Sequence, residues 1–454
     1  VSIFTKNLDL VSKEDLDLLV TTSERERVSL EYKKEINSSD EGKRNLIKHV
    51  AGMANAEGGL IIFGIEEDNK SGIPRTLCGM NESVGSQKAD EWIDAVVSQH
   101  TSPRIAIRMR PVPISPEKIA IVLLVPLSGR RPHMSNYDSV IYRRYNTQTR
   151  PASEFEIREM YQRSGRMEDE RKDFLRQRNL LDTTADSFCQ NANSLELATP
   201  TGKSPNDSPM VALSSCPRFL EERVGIAADD IRAWLKHNPS VKVEHKTTHV
   251  FPTSDFQTSG DSVTCSYIRY AGGTPHEVLE YVEIHRYGFV EQGLCRRLIR
   301  SVNGPELFLN LGGTTVAFWA FLKFLRNFYQ KIDYLDEFSV YLSIRNADQL
   351  GLHGFMGRDE QQTPLVASHE DSSIYHRMPM VSYFQPVHPK KPRYRNFQHQ
   401  RSLTVSGLDD QKISDVVKEF STRIANNFGL QKAHCYDADG SFATAHLDYP
   451  MESC

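Results

Sequence analysis

Cysteine is sparse in this chain. The seven in 454 residues are Cys78, Cys189, Cys216, Cys265, Cys295, Cys435 and Cys454, an odd number with no CxxC pair. That pattern excludes a disulfide scaffold or a zinc ribbon and fits a reducing cytoplasm. Apolar runs are short: Val316 to Leu322 is closed by Lys323, where a spanning helix needs roughly 20 apolar residues. No membrane partner is expected. Val1 to Leu10 contains Lys6 and Asp9 and has no apolar signal core. Charge of one sign is also lacking. The 55 Lys and Arg against 59 Asp and Glu leave −4, so any surface for nucleic acid must be local. A hydrophobic share of 39% and a charged share of 25% exclude a disordered or collagenous chain. Length alone suggests two or three domains.

What is present reads as an α+β protein. Residues 1–19 form a short helical entry, with Leu8, Leu10, Leu16, Leu18 and Leu19 among acids. From Val28 to Ile36 the chain alternates, with Leu30 and Tyr32 facing one way and Glu31 and Lys33 the other, which is strand periodicity. Ser38, Ser39 and Asp40 supply helix-capping types. Leu46, Ile47, Val50, Met53 and Ala54 then repeat at helical spacing until Gly58-Gly59. Leu60 to Ile65 is apolar throughout, as buried strands are. A helix over Lys88–Gln99 follows, then strands over Arg104–Arg110, Lys118–Val125 and Ser139–Tyr145. Ser153 and Glu156 have capping-box spacing and open a further helix.

Residues 20–165 are thus one α+β unit with a mixed sheet and helices. Residues 166–209 extend the helix and then become a polar linker. Residues 210–454 form a separate mixed α/β domain of unidentified fold. Its clearest elements are helices over Thr315–Tyr329 and Leu408–Phe428 and a strand over Phe338–Ile344.

Chemistry concentrates between Arg25 and Asp68. Glu31 and Lys33 share one face of a strand. Glu26 lies five residues earlier, and Glu66 closes the apolar strand that follows, with Glu67 and Asp68 beside it. Carboxylates converging on one point suit an oxygen-ligating divalent ion, and an adjacent lysine suits developing phosphate charge. An isolated Glu-x-Lys is most often a pair of solvated charges at a strand end.

The wider arrangement is more specific. Glu31-Tyr32-Lys33, Ala54-Asn55-Ala56-Glu57-Gly58-Gly59, Gly64-Ile65-Glu66, and Tyr142-Arg143-Arg144 through Arg150-Pro151-Ala152-Ser153 resemble the Schlafen AlbA-2 domain, once called a divergent AAA or ATP-binding domain. The resemblance covers about residues 20–165. It implies a metal-dependent endoribonuclease acting on structured RNA such as tRNA, in anti-phage or stress defence if the source is bacterial. Glu26, Glu31 and Glu66 would hold Mg²⁺ or Mn²⁺, with Lys33 near the scissile phosphate. The third position is Glu where the family has Asp, so Glu67, or Asp68 after it, stands as the alternative ligand. Two other readings remain: a non-catalytic DNA- or RNA-binding regulator, and an ATP-binding protein. Gly202-Lys203-Ser204 gives the last no support, because Leu197 stands where a phosphate-binding loop needs glycine. A lone lobe of this family also implies a homodimer, the second copy supplying the other wall of an RNA groove.

Residues 101–150 hold nine Lys and Arg against two acids, whereas residues 1–100 hold twelve against eighteen. Arg104, Arg108, Arg110, Arg143, Arg144 and Arg150 are therefore the expected phosphate contacts. A second basic stretch, Ile374 to Ser402, interleaves six Lys and Arg with aromatics.

Overall fold

A computed structural model describes residue 3, residues 8–68, 71–178 and 180–181, and, with gaps, residues 209–442. The chain divides into two compact units, one built mainly from Val1–Asp169 and the other mainly from residues 170–454.

In the first unit, α1 (Lys13–Thr21) precedes β1 (Leu30–Lys33), α2 (Asp40–Ala54), β2 (Gly59–Phe63), β3 (Ile65–Asp68), β4 (Ile73–Leu77) and β5 (Met80–Asn81). Short β6 (Ser83–Val84) and β7 (Gln87–Lys88) lead into α3 (Ala89–His100) and β8 (Thr101–Ser102). Then come β9 (Arg108–Ser115), β10 (Lys118–Val125), β11 (Met134–Ser135), β12 (Val140–Tyr145), β13 (Gln148–Pro151) and α4 (Glu154–Gln177).

The main sheet runs β1-β2-β10, with β9 on the far side of β10 and β5 continuing beside β10 past the end of β2. β1 and β2 are parallel, and the other pairs are antiparallel. Both faces of this sheet are covered, which is why β2 and β10 read as unbroken apolar runs. Ile61, Phe63, Ile121 and Leu123 pack with Ile47, Val50 and Met53 of α2 and Ile93 and Val97 of α3. Leu30, Tyr32, Leu60, Ile62 and Val122 pack with Leu16 and Leu19 of α1. Burial of side chains this size contributes about 1.5–3 kcal/mol each.

Glycine is required where β2 begins and ends. A Cβ on Gly59, at φ +142°, would stand 2.3 Å from the Ser29 carbonyl oxygen. Gly64, at φ +99°, breaks the line between β2 and β3. The helix Asp40–Ala54 begins at Ser39, whose side chain accepts from the Gly42 amide. Ser153 and Glu156 exchange capping-box hydrogen bonds at the start of α4.

The second unit is built on a seven-stranded sheet in the order 256–258, 262–271, 274–285, 290–294, 210–217, 337–345, 397–404. Every neighbouring pair in it is antiparallel. Its longest strand is Thr274–His285. Buried helix Leu311–Lys331 and helix Asp410–Asn427 meet through stacked Phe318 and Phe420. Ile413, Val416, Val417, Phe420 and Ile424 are all buried, so that amphipathic face is core. No helix among the described residues is long and apolar enough to cross a membrane. The polar linker, Gly202-Lys203-Ser204 and most of the stretch 374–402 lie outside the described residues.

Candidate active site

The site is assembled on the edge strand β1. Strand alternation sends Leu30 and Tyr32 into the core shared with α1 and turns Glu31 and Lys33 toward α2. Glu31 is 2% exposed, and a carboxylate so deep must be paired to stay ionised. Three groups surround it. Lys33 Nζ donates to its Oε1, His49 Nδ1 of α2 lies 3.3 Å from the same oxygen, and the Arg144 guanidinium of β12 pairs with Oε2. Burial alone would raise the Glu31 carboxyl, but His49, Lys33 and Arg144 together hold it below the usual carboxylate range. Burial pushes His49 itself down to about 4, so its imidazole is neutral near pH 7.

Glu26 approaches from the turn before β1. Its amide donates to the Gly72 carbonyl at 2.8 Å, and its Oε1 accepts from the Tyr32 amide at 2.8 Å, capping the outer edge of the strand. Burial, then repulsion from Glu31 and, more weakly, Glu67, push the Glu26 carboxyl up to about 8 against the Tyr32 hydrogen bond. Glu67 completes the group: its Oε1 lies 3.6 Å from Lys33 Nζ. Glu31 and Glu67 thus share one lysine, with Glu26 close enough to feel the charge of both.

Glu66 is not among them. It pairs at 2.9 Å with Lys34, on the exposed side. A register shift between Glu66 and Glu67 in the β3–β4 pairing separates the two side chains. The structure therefore groups Glu26, Glu31 and Glu67 with Lys33 and leaves Glu66 outside.

The expected basic residues do not form one face. Arg144 belongs to the interior, a correction to its expected place among the phosphate contacts. Its side chain is 0% exposed, and it donates to the Arg27 and Leu30 carbonyl oxygens at 3.1 Å each, besides pairing with Glu31. Arg104 lies outside β9, which begins at Arg108, so the expected strand Arg104–Arg110 is displaced toward Ser115. Arg104 faces Asp94 at 3.6 Å. Arg108 pairs with Asp9 at 2.9 Å on the opposite edge of the sheet from β1, with exposed Arg110 two residues on. Arg143 and Arg150 do stand together, opposite each other in the β12–β13 register. The Arg150 guanidinium lies 4.1 Å from the centre of the Tyr145 ring.

Other residues support the site from behind. Asn55 at the end of α2 donates to the carbonyl oxygens of His133 and Tyr142 and accepts from the His133 amide, at 2.7–2.8 Å. It thereby fixes β12, and with it Arg144, against α2. His49 was not singled out from sequence. The signal was its place beside the apolar stripe of Leu46, Val50 and Met53.

The donor chemistry of three carboxylates suits Mg²⁺ or Mn²⁺. As arranged, no three His, Cys, Asp or Glu groups among the described residues stand in metal-holding geometry. Lys33 contacts both Glu31 and Glu67 instead.

Residues 26–153 match the family model described as Schlafen, AlbA_2. No curated protein matches the chain. The crystal structure of the DIP2311 protein from Corynebacterium diphtheriae is similar at 18% identity, over 32% of this chain and 27% of that chain, with a TM-score of 0.23.

Proposed function

Because residues 26–153 are a Schlafen AlbA_2 domain, a family whose work is nucleic-acid-related, we propose that this chain is a metal-dependent endoribonuclease acting on structured RNA such as tRNA. The observation that carries the reading is that Glu31 and Glu67 share Lys33 while Glu26 lies near enough to be repelled by both. Glu26, Glu67 and Glu31 would hold Mg²⁺ or Mn²⁺, whose charge activates water and stabilises phosphoryl oxygens.

The chain's own residues divide the remaining work. Arg144 fixes Glu31 ionised and in place. Glu26, raised to about 8 in the metal-free chain, would give up its proton on taking the ion, which makes metal binding pH-dependent. Lys33, 33% exposed at its side chain, is the cation able to meet an incoming phosphate. Arg143 and Arg150, flanking Tyr145, are the best-placed phosphate contacts. A two-fold dimer would supply a second such wall.

A second reading, a non-catalytic RNA- or DNA-binding protein, is favoured by one feature: the carboxylates are closed on Lys33 and Arg144 rather than open. Incubation of the full chain with tRNA and Mn²⁺ separates the two. Cleavage that EDTA and Glu31→Ala both abolish supports the nuclease. Binding without cleavage selects the second reading.

A further inference from the structure

We infer that Ser164-Gly165 is a flexion point built into α4, at which the helix opens while its two ends stay docked. Such a device would serve a nuclease and a non-catalytic binding protein alike.

The helix belongs to both compact units, which part between Asp169 and Glu170. Its first part is fastened to the first unit. Glu156 accepts from the Tyr145 hydroxyl, and the Ser164 hydroxyl donates to the Arg131 carbonyl oxygen at 2.6 Å, with that of Gly129 at 3.2 Å. Its last part is fastened to the second unit. Arg171 donates to the Pro217 carbonyl oxygen at 3.0 Å and to the Ser339 hydroxyl at 2.9 Å. Phe174 stands edge-on to His285 and Phe289, with ring centres 5.2 Å apart in each case. Arg178, just past the helix end, places two nitrogens on the Glu283 carboxylate.

The middle has little to hold it. Met167 is the one buried side chain between Met160 and Leu175, so this stretch depends on its own backbone bonds and intrinsic helix preference. Glycine lowers that preference more than any residue except proline. Neither packing nor backbone conformation demands it here. A Cβ on Gly165 would meet nothing within 4 Å, and the position is helical, without a positive φ. Gly52 of α2 is the contrast, because a Cβ there would stand 2.4 Å from Thr149 Cγ2. Ser-Gly pairs are among the places where helices bend, and segments with few buried contacts open first. Opening at Gly165 leaves each half of α4 with the unit that holds it.

The test is hydrogen exchange of the full chain, read by mass spectrometry and corrected for the intrinsic exchange rate of each sequence. Wild-type amides at 165–169 should be at least about tenfold less protected than those at 158–161 and 173–176. Gly165→Ala should raise protection at 165–169 about fivefold and leave both ends unchanged. Arg166→Ala, which keeps nearly the same helix preference, should move it by less than about twofold. Uniform protection along α4 overturns the flexion point. A weak centre that Gly165→Ala does not strengthen overturns it as well, because the glycine is then not its cause.

Discussion

Arg144 and Glu31 meet in the interior of the first unit as an ion pair whose side chains are 0% and 3% exposed. The pair joins β12 to β1 and aligns the carboxylate on which the rest of the cluster is built. Removing one partner of such a pair leaves an uncompensated buried charge, at a cost of about 3–5 kcal/mol. Arg144→Met should therefore lower unfolding free energy by about that amount in urea titration. Adding Glu31→Gln should restore part of the loss, because the stranded charge is gone. A double variant no better than the single one would contradict the pairing.

Asn55 ties α2 to the same strand through the Tyr142 carbonyl and to His133 through two further hydrogen bonds. Asn55→Ala strands the amide and carbonyl groups of His133 and Tyr142, each lost partner costing about 1–3 kcal/mol. Thermal melting should show a clear drop in Tm, with Asn55→Asp recovering only the bond from the His133 amide. A Tm unchanged in Asn55→Ala would contradict this role.

Glu26 ties stability to pH. Its folded carboxyl is raised from 4.5 to about 8, so the folded state binds the extra proton between those values. Its contribution is full below about pH 4.5 and is lost as pH rises through about 8. In EDTA, the wild type should lose stability across that window, and Glu26→Gln should flatten the slope. Chemical denaturation at several pH values measures both. Equal slopes would contradict the buried, repelled carboxyl.

Arg150 is exposed and lies over Tyr145, opposite Arg143, which faces Glu156 and Glu159 at 3.9 Å each. Arg150→Ala should weaken RNA binding and reduce the slope of log affinity against log salt by about 1. Fluorescence anisotropy across a salt series gives the slope. An unchanged slope would remove Arg150 from the interface.

Much of this was legible in advance, for physical reasons that differ by residue. Leu30, Tyr32, Glu31 and Lys33 sort onto two faces because a strand has period two. Lys118–Val125 was visible as a strand because both faces of β10 are buried. Tyr142 and Arg144 share an inward face, so the same alternation held the signal that Arg144 is interior. A net basic count over residues 101–150 does not separate the two faces of a strand. The choice between Glu66 and Glu67 was not legible. It depends on the positive φ of Gly64 and a register shift in the β3–β4 hairpin, neither of which leaves a mark in hydropathy. Arg104 was misplaced for a similar reason: β9 begins four residues later, where pairing with β10 starts at Leu124.

On the proposed function, Glu26, Glu31 and Glu67 act as one site on a phosphodiester bond. The most direct measurement is single-turnover cleavage of tRNA with Mn²⁺ by the wild type, Glu67→Gln and Glu66→Gln. Loss of a charged group aimed at the reacting centre costs about a hundredfold or more, so Glu67→Gln should fall by that factor. Glu66→Gln, whose carboxylate is spent on Lys34, should stay within about twofold of the wild type, as surface substitutions do. The reverse order, with Glu66→Gln inactive and Glu67→Gln unaffected, would contradict the site as described.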